Sequence, residues 1–321
     1  MTCSRIAPAR VPFAYNQLCD ARLLSPERLV SETSFLPSSV CGVIVTYNPG
    51  QDLLRNVTAL STQVGGVVLV DNGSSMPALG RLQQVQDHTS CAVIRNGKNL
   101  GIAGALNVGF RFALEHEYEW IIAFDQDSTI SDGFIQALLN SASNAAEAGL
   151  ICPTYIDRRL RTELAMPRLP SGEPLTAMTS GSMFRRSTFL RAGPFDERLF
   201  IDSVDNEYCL RLRSMGMHIE QSRQAVLLHS LGQITFRRFL GKKLVATNHS
   251  PARRYYMTRN RLFVLFRYAH DWNWIRFDAF EMIREFIAIL VVERQKMSKI
   301  AYMLRGAFDF TRGKWGPQVP L

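Results

Sequence analysis

Between Val40 and Phe124 four short apolar runs alternate with stretches of helical spacing, and that alternation leaves the chain few folds to choose from. Val40-Cys41-Gly42-Val43-Ile44-Val45-Thr46 is rich in β-branched residues and is stopped by Asn48-Pro49-Gly50. Leu53, Leu54, Val57 and Leu60 follow at helical spacing. Val67-Val68-Leu69-Val70 is a second strand, closed by Asp71-Asn72-Gly73-Ser74, and a helix is expected from Ala78 to Gln86. Cys91-Ala92-Val93-Ile94 is a third strand, Ala103 to Leu114 a helix, and Trp120-Ile121-Ile122-Ala123-Phe124 the fourth strand. Strands and helices alternating in this way predict right-handed βαβ units and a mostly parallel sheet.

In such sheets ligands bind where the strands end at their carboxyl side. The fourth run is followed at once by Asp125-Gln126-Asp127. Two carboxylates that close repel each other, and a divalent cation is the usual remedy. Mg²⁺ or Mn²⁺ takes one or two carboxylates and completes its shell with phosphate oxygens. An Asp-x-Asp also occurs in ordinary surface turns, so the pair gains weight only with its neighbours.

Three further blocks supply them. The first two strand ends give Thr46-Tyr47-Asn48 and Asp71-Asn72-Gly73-Ser74, short polar groups able to hydrogen-bond a base or ribose. Asn-Gly is equally a standard turn pair. The stretch from Arg95 to Gly109 places Lys98, Gly101 and Gly104 where a helix begins, so that backbone can approach an anionic ligand. Close packing of that helix on the sheet would need the same small residues. The segment from Phe200 to Arg211 carries Asp202, Asp205 and Glu207 before an apolar-periodic helix. Acids there are ordinary helix-dipole complements, yet one could serve as general base for a hydroxyl nucleophile. His229, after the run Ala225 to Leu228, is a further candidate metal ligand.

The chain has 321 residues, 46% apolar and 20% charged, the balance of a folded globular protein. No run approaches the roughly 18 apolar residues that span a bilayer, and Met1-Thr2-Cys3-Ser4-Arg5 does not begin a signal peptide. Six scattered cysteines without a Cys-x-x-Cys pair suit a reducing compartment and argue against structural zinc. A cytoplasmic location is expected. The net charge of +9 is uneven: from Leu231 to the end there are 17 Lys+Arg against 6 Asp+Glu. Three regions follow: an N-terminal extension over 1–39, a catalytic α/β domain over 40–230, and a basic helical region over 231–321. In the last, strand signals stop, and helices are expected from Arg253 to Tyr268 and from Phe277 to Tyr302. Phe280, Ile283, Phe286, Ile287 and Leu290 share one side of the second helix, which suits either a membrane interface or packing on its own domain.

The ordered set Val43-Ile44-Val45-Thr46-Tyr47-Asn48, Val70-Asp71-Asn72-Gly73-Ser74, Asn96-x-x-Asn99-Leu100-Gly101-x-Ala103-Gly104-x-x-Asn107-x-Gly109 and Asp125-x-Asp127 resembles the GT-A family 2 glycosyltransferases. Phe200 to Arg211 is similar to their bacterial rhamnosyltransferase branch. The likeness runs from about Val40 to Asn260. It implies a GT-A fold and an inverting, single-displacement transfer from a nucleotide-sugar donor, with dTDP-L-rhamnose expected, in cell-surface polysaccharide assembly. By position it places Thr46, Tyr47, Asn48, Asp71, Asn99 and Gly101 at the donor nucleotide. Asp125 and Asp127 would hold Mg²⁺ or Mn²⁺ against the diphosphate, and His229, in Leu228-His229-Ser230-x-Gly232, would contact the metal. Gly181 and Ser182 match the segment near the acceptor. Many relatives carry a Glu-Asp pair as base; this chain has Val204-Asp205, which leaves Asp205, favoured, or Asp202. Arg253-Arg254-Tyr255-Tyr256-x-x-Arg259-Asn260 resembles the branch's basic-aromatic segment near phosphate.

The acceptor expected is a saccharide or a polyprenyl-diphosphate-linked saccharide, with the basic tail against an anionic membrane and no nucleic acid as partner. Two competing assignments have weaker support. A sugar nucleotidyltransferase needs a basic Gly-rich loop after its first strand, and here no base follows Tyr47 until Arg55. A non-catalytic nucleotide-sugar or nucleic-acid binding module would have no use for the acidic cluster.

Overall fold

The computed structural model describes residues 35–145, 147–158, 161–229, 234–239 and 242–320. Of the expected N-terminal extension only 35–39 is among them, and Ser230 and Gly232 of the His229 motif lie outside.

The first half alternates as its sequence predicts: β1 (Val40–Thr46), α1 (Leu53–Ser61), β2 (Gly66–Asp71), α2 (Ala78–His88), β3 (Ala92–Arg95), α3 (Gly101–Glu115) and β4 (Trp120–Asp125). There follow β5 (Thr129–Ile130), α4 (Phe134–Asn144), β6 (Ala148–Asp157), β7 (Met183–Arg185), α5 (Arg186–Ala192), α6 (Val204–Ser214) and β8 (His218–His229). The strands form one sheet in the order β3-β2-β1-β4-β7-β6-β8-β5. β1 pairs in parallel with β2 and β4, and β2 with β3. β7 runs antiparallel to both β4 and β6, so β6, and β8 parallel to it, point the same way as β4.

β1, β2 and β4 are buried on both faces, which is why their sequences are continuous apolar runs rather than alternating ones. Helices cover those faces with Leu53, Val57, Leu60, Leu82, Val85, Leu106 and Phe110, all buried in the main core. Each such side chain contributes about 1.5–3 kcal/mol on leaving water. On α3, a Cβ at Gly109 would stand 2.3 Å from a Val43 methyl. That glycine serves close helix–sheet packing.

The last part comprises β9 (Thr235–Phe239), β10 (Lys242–Ala246), α7 (Pro251–Arg267), α8 (Trp272–Val291) and α9 (Lys296–Thr311). Two expectations are corrected here. Strands do not stop after Leu231: β9 and β10 make an antiparallel hairpin, anchored by Leu244 and Ala246 against Ala288 of α8. The single helix expected from Phe277 to Tyr302 is two. Glu293 turns inward between them, bound to Arg254 at 2.8 Å and Lys299 at 2.7 Å, and Gln295 adopts a left-handed backbone with φ 56°. A buried acid with two cations at a helix junction is invisible to hydrophobic periodicity.

Candidate active site

Sheet register assembles the site. Thr46 lies opposite Asp71, Val45 opposite Asp125, and Asp71 opposite Arg95, so the first four strands all end on one rim. Because β6 and β8 share the direction of β4, their ends, Asp157 opposite His229, come to the same rim.

At the end of β1, Thr46 is buried and Tyr47 exposed. The Tyr47 N–H donates to Gln126 Oε1 at 2.9 Å, tying the end of β1 to the acidic turn. Asn48 accepts from the Ser75 N–H at 2.9 Å, while its own N–H donates to Ser74 Oγ at 2.8 Å. The buried Asp71 carboxylate accepts the Ser74 N–H at 3.2 Å. Asn72, also buried, donates to Asn99 Oδ1 at 3.0 Å and to the Gly101 carbonyl at 3.1 Å, and accepts from the Leu100 N–H at 2.9 Å. Asn99 in turn accepts the Gly101 N–H at 2.8 Å. Gly101 opens α3 at φ 79°, where a Cβ would stand 2.4 Å from the Phe200 carbonyl oxygen. Only glycine fits that backbone and that approach.

Asp125 ends β4 with its N–H donated to Ser180 Oγ at 3.1 Å, and Ser180 shares a 2.8 Å hydrogen bond with Ser128. Burial pushes the Asp125 carboxyl above its ordinary range and Asp127 pushes it further, against the opposing pull of His229 and Arg253. Asp127 is exposed. Among the described residues, His229 Nδ1 is buried without a hydrogen-bond partner. Among the described residues no three His, Cys, Asp or Glu side chains form a closed metal cage. The donors present nevertheless fit a hard divalent cation whose shell phosphate oxygens would complete: a carboxylate held short of easy ionisation, a second exposed carboxylate and a buried imidazole nitrogen with no partner among the described residues.

The loop before α6 carries Asp202, and the first turn of α6 carries Asp205 and Glu207. Burial is the main cause raising Asp205 to about 6, and the charges of Asp202 and Asp125 add to it. Asp202 is engaged by Arg253 of α7, whose Nη2 lies 2.9 Å from Oδ1 and whose Nε lies 3.2 Å from both carboxylate oxygens. Burial alone would lower Arg253, but the charges of Asp202, Asp125 and Asp205 outweigh it and raise it. Beside it, burial and the Arg253 charge bring His249 down to about 4, so it is neutral near pH 7. Glu207 is committed elsewhere: buried, it binds Arg211 and accepts from Tyr268 Oη at 2.9 Å. Of the three acids, Asp205 alone is both unpaired with a cation and poised near neutrality.

Phe200, Asp202 and Ser203 all have positive φ, at 62°, 63° and 61°. Such backbone costs about 1–3 kcal/mol per non-glycine residue and persists only when surroundings enforce it. Here Ile102 N–H donates to the Phe200 carbonyl at 2.6 Å from one side, and α7 holds the loop from the other.

Not every expected residue faces the rim. Gly181 and Ser182 are buried; the Gly181 N–H donates to the Ala123 carbonyl at 2.7 Å and the Ser182 hydroxyl to the Met178 carbonyl at 2.5 Å. They form the floor beneath Asp125. In the basic-aromatic segment, only Arg253 faces the acids. Arg254 is buried between Glu285 and Glu293, and Arg259 donates to the carbonyls of Gly316, Arg198 and Leu199, so neither is free for phosphate. Ser180, Asn72 and Gln126 escaped notice as site residues. Asn72 and Gln126 lie inside motifs that the sequence marks and Ser180 beside Gly181, but a polar residue that positions another leaves no mark of its own in one sequence.

A family model described as Glycosyl transferase family 2 matches residues 41–200. The dTDP-rhamnosyl transferase RfbF of Shigella flexneri is 34% identical over 308 residues, covering 87% of this chain and 97% of the relative. The galactofuranosyltransferase GlfT1 of Mycobacterium tuberculosis (strain CDC 1551 / Oshkosh) is 25% identical over 274 residues, covering 77% of this chain and 90% of the relative. Among solved structures, the mannosyltransferase PcManGT from Pyrobaculum calidifontis, in complex with GDP-Man and Mn²⁺, superposes with a TM-score of 0.58 at 13% identity, covering 94% of each chain. The architecture, a large mostly parallel sheet with its acids on the carboxyl rim, is that of the GT-A glycosyltransferases. The chain belongs to glycosyl transferase family 2.

Proposed function

We propose that the chain transfers L-rhamnose, with inversion, from dTDP-L-rhamnose to a saccharide or polyprenyl-diphosphate-linked saccharide in cell-surface polysaccharide assembly. What carries the chemistry is the meeting of Asp125 and Asp205 near one rim from two distant stretches of sequence. What supports the donor is the likeness to the dTDP-rhamnosyl transferase over most of both chains.

Thr46, Tyr47, Asn48, Asp71, Asn99 and Gly101 line the nucleotide. Asp125, Asp127 and His229 would hold Mg²⁺ or Mn²⁺ beside the diphosphate, and the bound ion would supply neutralising charge to the departing nucleotide. Asp205 takes the proton of the acceptor hydroxyl as that oxygen attacks the anomeric carbon from the face opposite the diphosphate. Its pKa near 6 leaves it ionised at neutral pH yet basic enough to accept. Asp202, already bound to Arg253, is the poorer base and holds that guanidinium beside the site. Gly181 and Ser182 support the acceptor side from beneath.

The helical end meets the membrane from the cytoplasmic side in this proposal. No helix of the described residues is long and apolar enough to cross one. Trp272, Phe280, Ile283, Phe286 and Leu290 are exposed along one face of α8, and Met297, Leu304 and Phe308 along α9. Arg276, Arg305 and Arg312 are exposed among them, a charge complement to anionic headgroups. Arg254 adjoins Arg253 and binds Glu285 of α8 and Glu293 just beyond it, so the C-terminal end of α8 packs beside the start of α7.

The test is donor hydrolysis and binding by purified protein across a panel of sugar nucleotides, with Mg²⁺, Mn²⁺ or EDTA. Metal-dependent preference for dTDP-L-rhamnose is expected. Preference for another sugar nucleotide would remove the rhamnosyl assignment, and no binding by folded protein would remove the transferase reading of the site.

A further inference from the structure

Asn260 sits on α7 with no solvent exposure, and its side-chain amide nitrogen is given over to the loop that leads to Asp205. Its Nδ2 donates to the carbonyls of Leu199 at 2.6 Å, Ile201 at 2.7 Å and Asp202 at 3.0 Å. Its Oδ1 accepts Arg259 Nε–H at 3.0 Å, which fixes the amide with its donors toward the loop. Arg259 adds its own Nη2 bonds to the carbonyls of Arg198 at 3.1 Å and Leu199 at 3.3 Å. The loop they grip is the strained one, left-handed at Phe200, Asp202 and Ser203. Three carbonyls converging on one point would repel each other without a donor between them. On its other side the loop meets the donor helix through Ile102 N–H and the Phe200 carbonyl at 2.6 Å.

We infer that Asn260 is a positioning residue for transfer: through three loop carbonyls it sets where Asp205 stands relative to the donor. The inference rests on Asp205 being the base. Asn260 touches neither substrate, and its effect runs through backbone placement, to which reaction rates are steeply sensitive. It also gives the C-terminal helices a part in the chemistry.

Asn260→Asp keeps the shape and replaces the donor by an acceptor facing three carbonyls. For this variant, kcat for transfer should fall about 100-fold, while the KM for the donor and the affinity for the nucleoside diphosphate stay within about threefold of wild type. A kcat within threefold of wild type overturns the inference. So does a nucleotide affinity that falls in parallel with kcat, which marks a merely structural clamp. Should Asn260→Asp not fold, Ser203→Val decides: valine resists the left-handed backbone of half-buried Ser203, and kcat should drop about tenfold with nucleotide affinity unchanged. Unchanged kcat in Ser203→Val would then refute it. Wild-type protein with no transfer at all contradicts the rhamnosyltransferase reading instead, so the two failures are distinct.

Discussion

The carbonyl of Phe200 accepts the N–H of Ile102 at 2.6 Å, so the loop that leads into α6 is bonded to the first turn of α3. In the proposed reading this bond joins the donor side to the loop before the base, two stretches far apart in sequence. Gly101, next to Ile102, is where the two press hardest together.

Gly101→Ala puts a Cβ 2.4 Å from the Phe200 carbonyl oxygen and forces alanine to φ 79°. Stability should fall by about 1–3 kcal/mol, and transfer should fall more than stability explains, because both sides of the site move. Thermal unfolding together with kcat of the folded fraction checks this.

Asp205→Asn should separate function from stability. Turnover should drop by about 10²–10⁴ with the base gone. The folded carboxyl, raised from 3.8 to about 6, holds a proton that the unfolded chain has already lost between those values. Its stabilising share is therefore full below about pH 4 and is lost as pH rises through about 6. Asparagine removes that loss, so at pH 8 the variant should be more stable than wild type, by of order 2 kcal/mol. In wild type, kcat should rise with pH through a midpoint at or slightly below pH 6 and level off about one pH unit above that midpoint, since a cation at Asp125 would cancel part of the charge that raises Asp205. Unfolding curves at pH 4 and 8 and a pH–rate profile read both effects.

Glu207→Ala should behave in the opposite way. Its buried carboxylate pairs with Arg211, so truncation strands a charge and should cost about 3–5 kcal/mol. The folded fraction should retain kcat near wild type. Chemical denaturation with activity normalised to folded protein distinguishes this acid from Asp205, two residues away.

The parallel half of the fold was legible because buried parallel strands are continuous apolar runs, and β1, β2 and β4 are buried along nearly their whole length. The β9–β10 hairpin was not, since its basic residues blur the alternation that marks a strand. The break between α8 and α9 escaped for another reason: Glu293 reads as a surface acid, and only packing reveals Arg254 and Lys299 around it. At the site, acids announce themselves by type and spacing. What they do is set by partners. Asp202 belongs to Arg253 and Glu207 to Arg211, which leaves Asp205, and none of those pairings can be read from one chain's order. Gly181 and Ser182 matched a motif, but burial makes them a floor.

Phe280→Glu/Phe286→Glu places two charges in the exposed α8 stripe, on the face away from the buried Trp274 and Asp278. Flotation with vesicles containing anionic lipid should fall at least tenfold, as apolar burial worth about 1.5–3 kcal/mol per side chain is lost. Turnover on a water-soluble acceptor should be unchanged. Wild-type flotation should weaken with salt, and flotation equal for wild type and variant would exclude this face.

The most direct test of the site is Mn²⁺ binding followed by electron paramagnetic resonance, with and without dTDP, in wild type and Asp127→Ala. Asp125, Asp127 and His229 do not form a cage alone, so Mn²⁺ should bind tightly to wild type only when the nucleotide diphosphate is present. In Asp127→Ala that nucleotide-dependent binding should vanish, with transfer reduced about a thousandfold and the fold intact. Nucleotide-dependent Mn²⁺ binding and near-normal turnover in Asp127→Ala would contradict the assignment of this rim as the metal and diphosphate site.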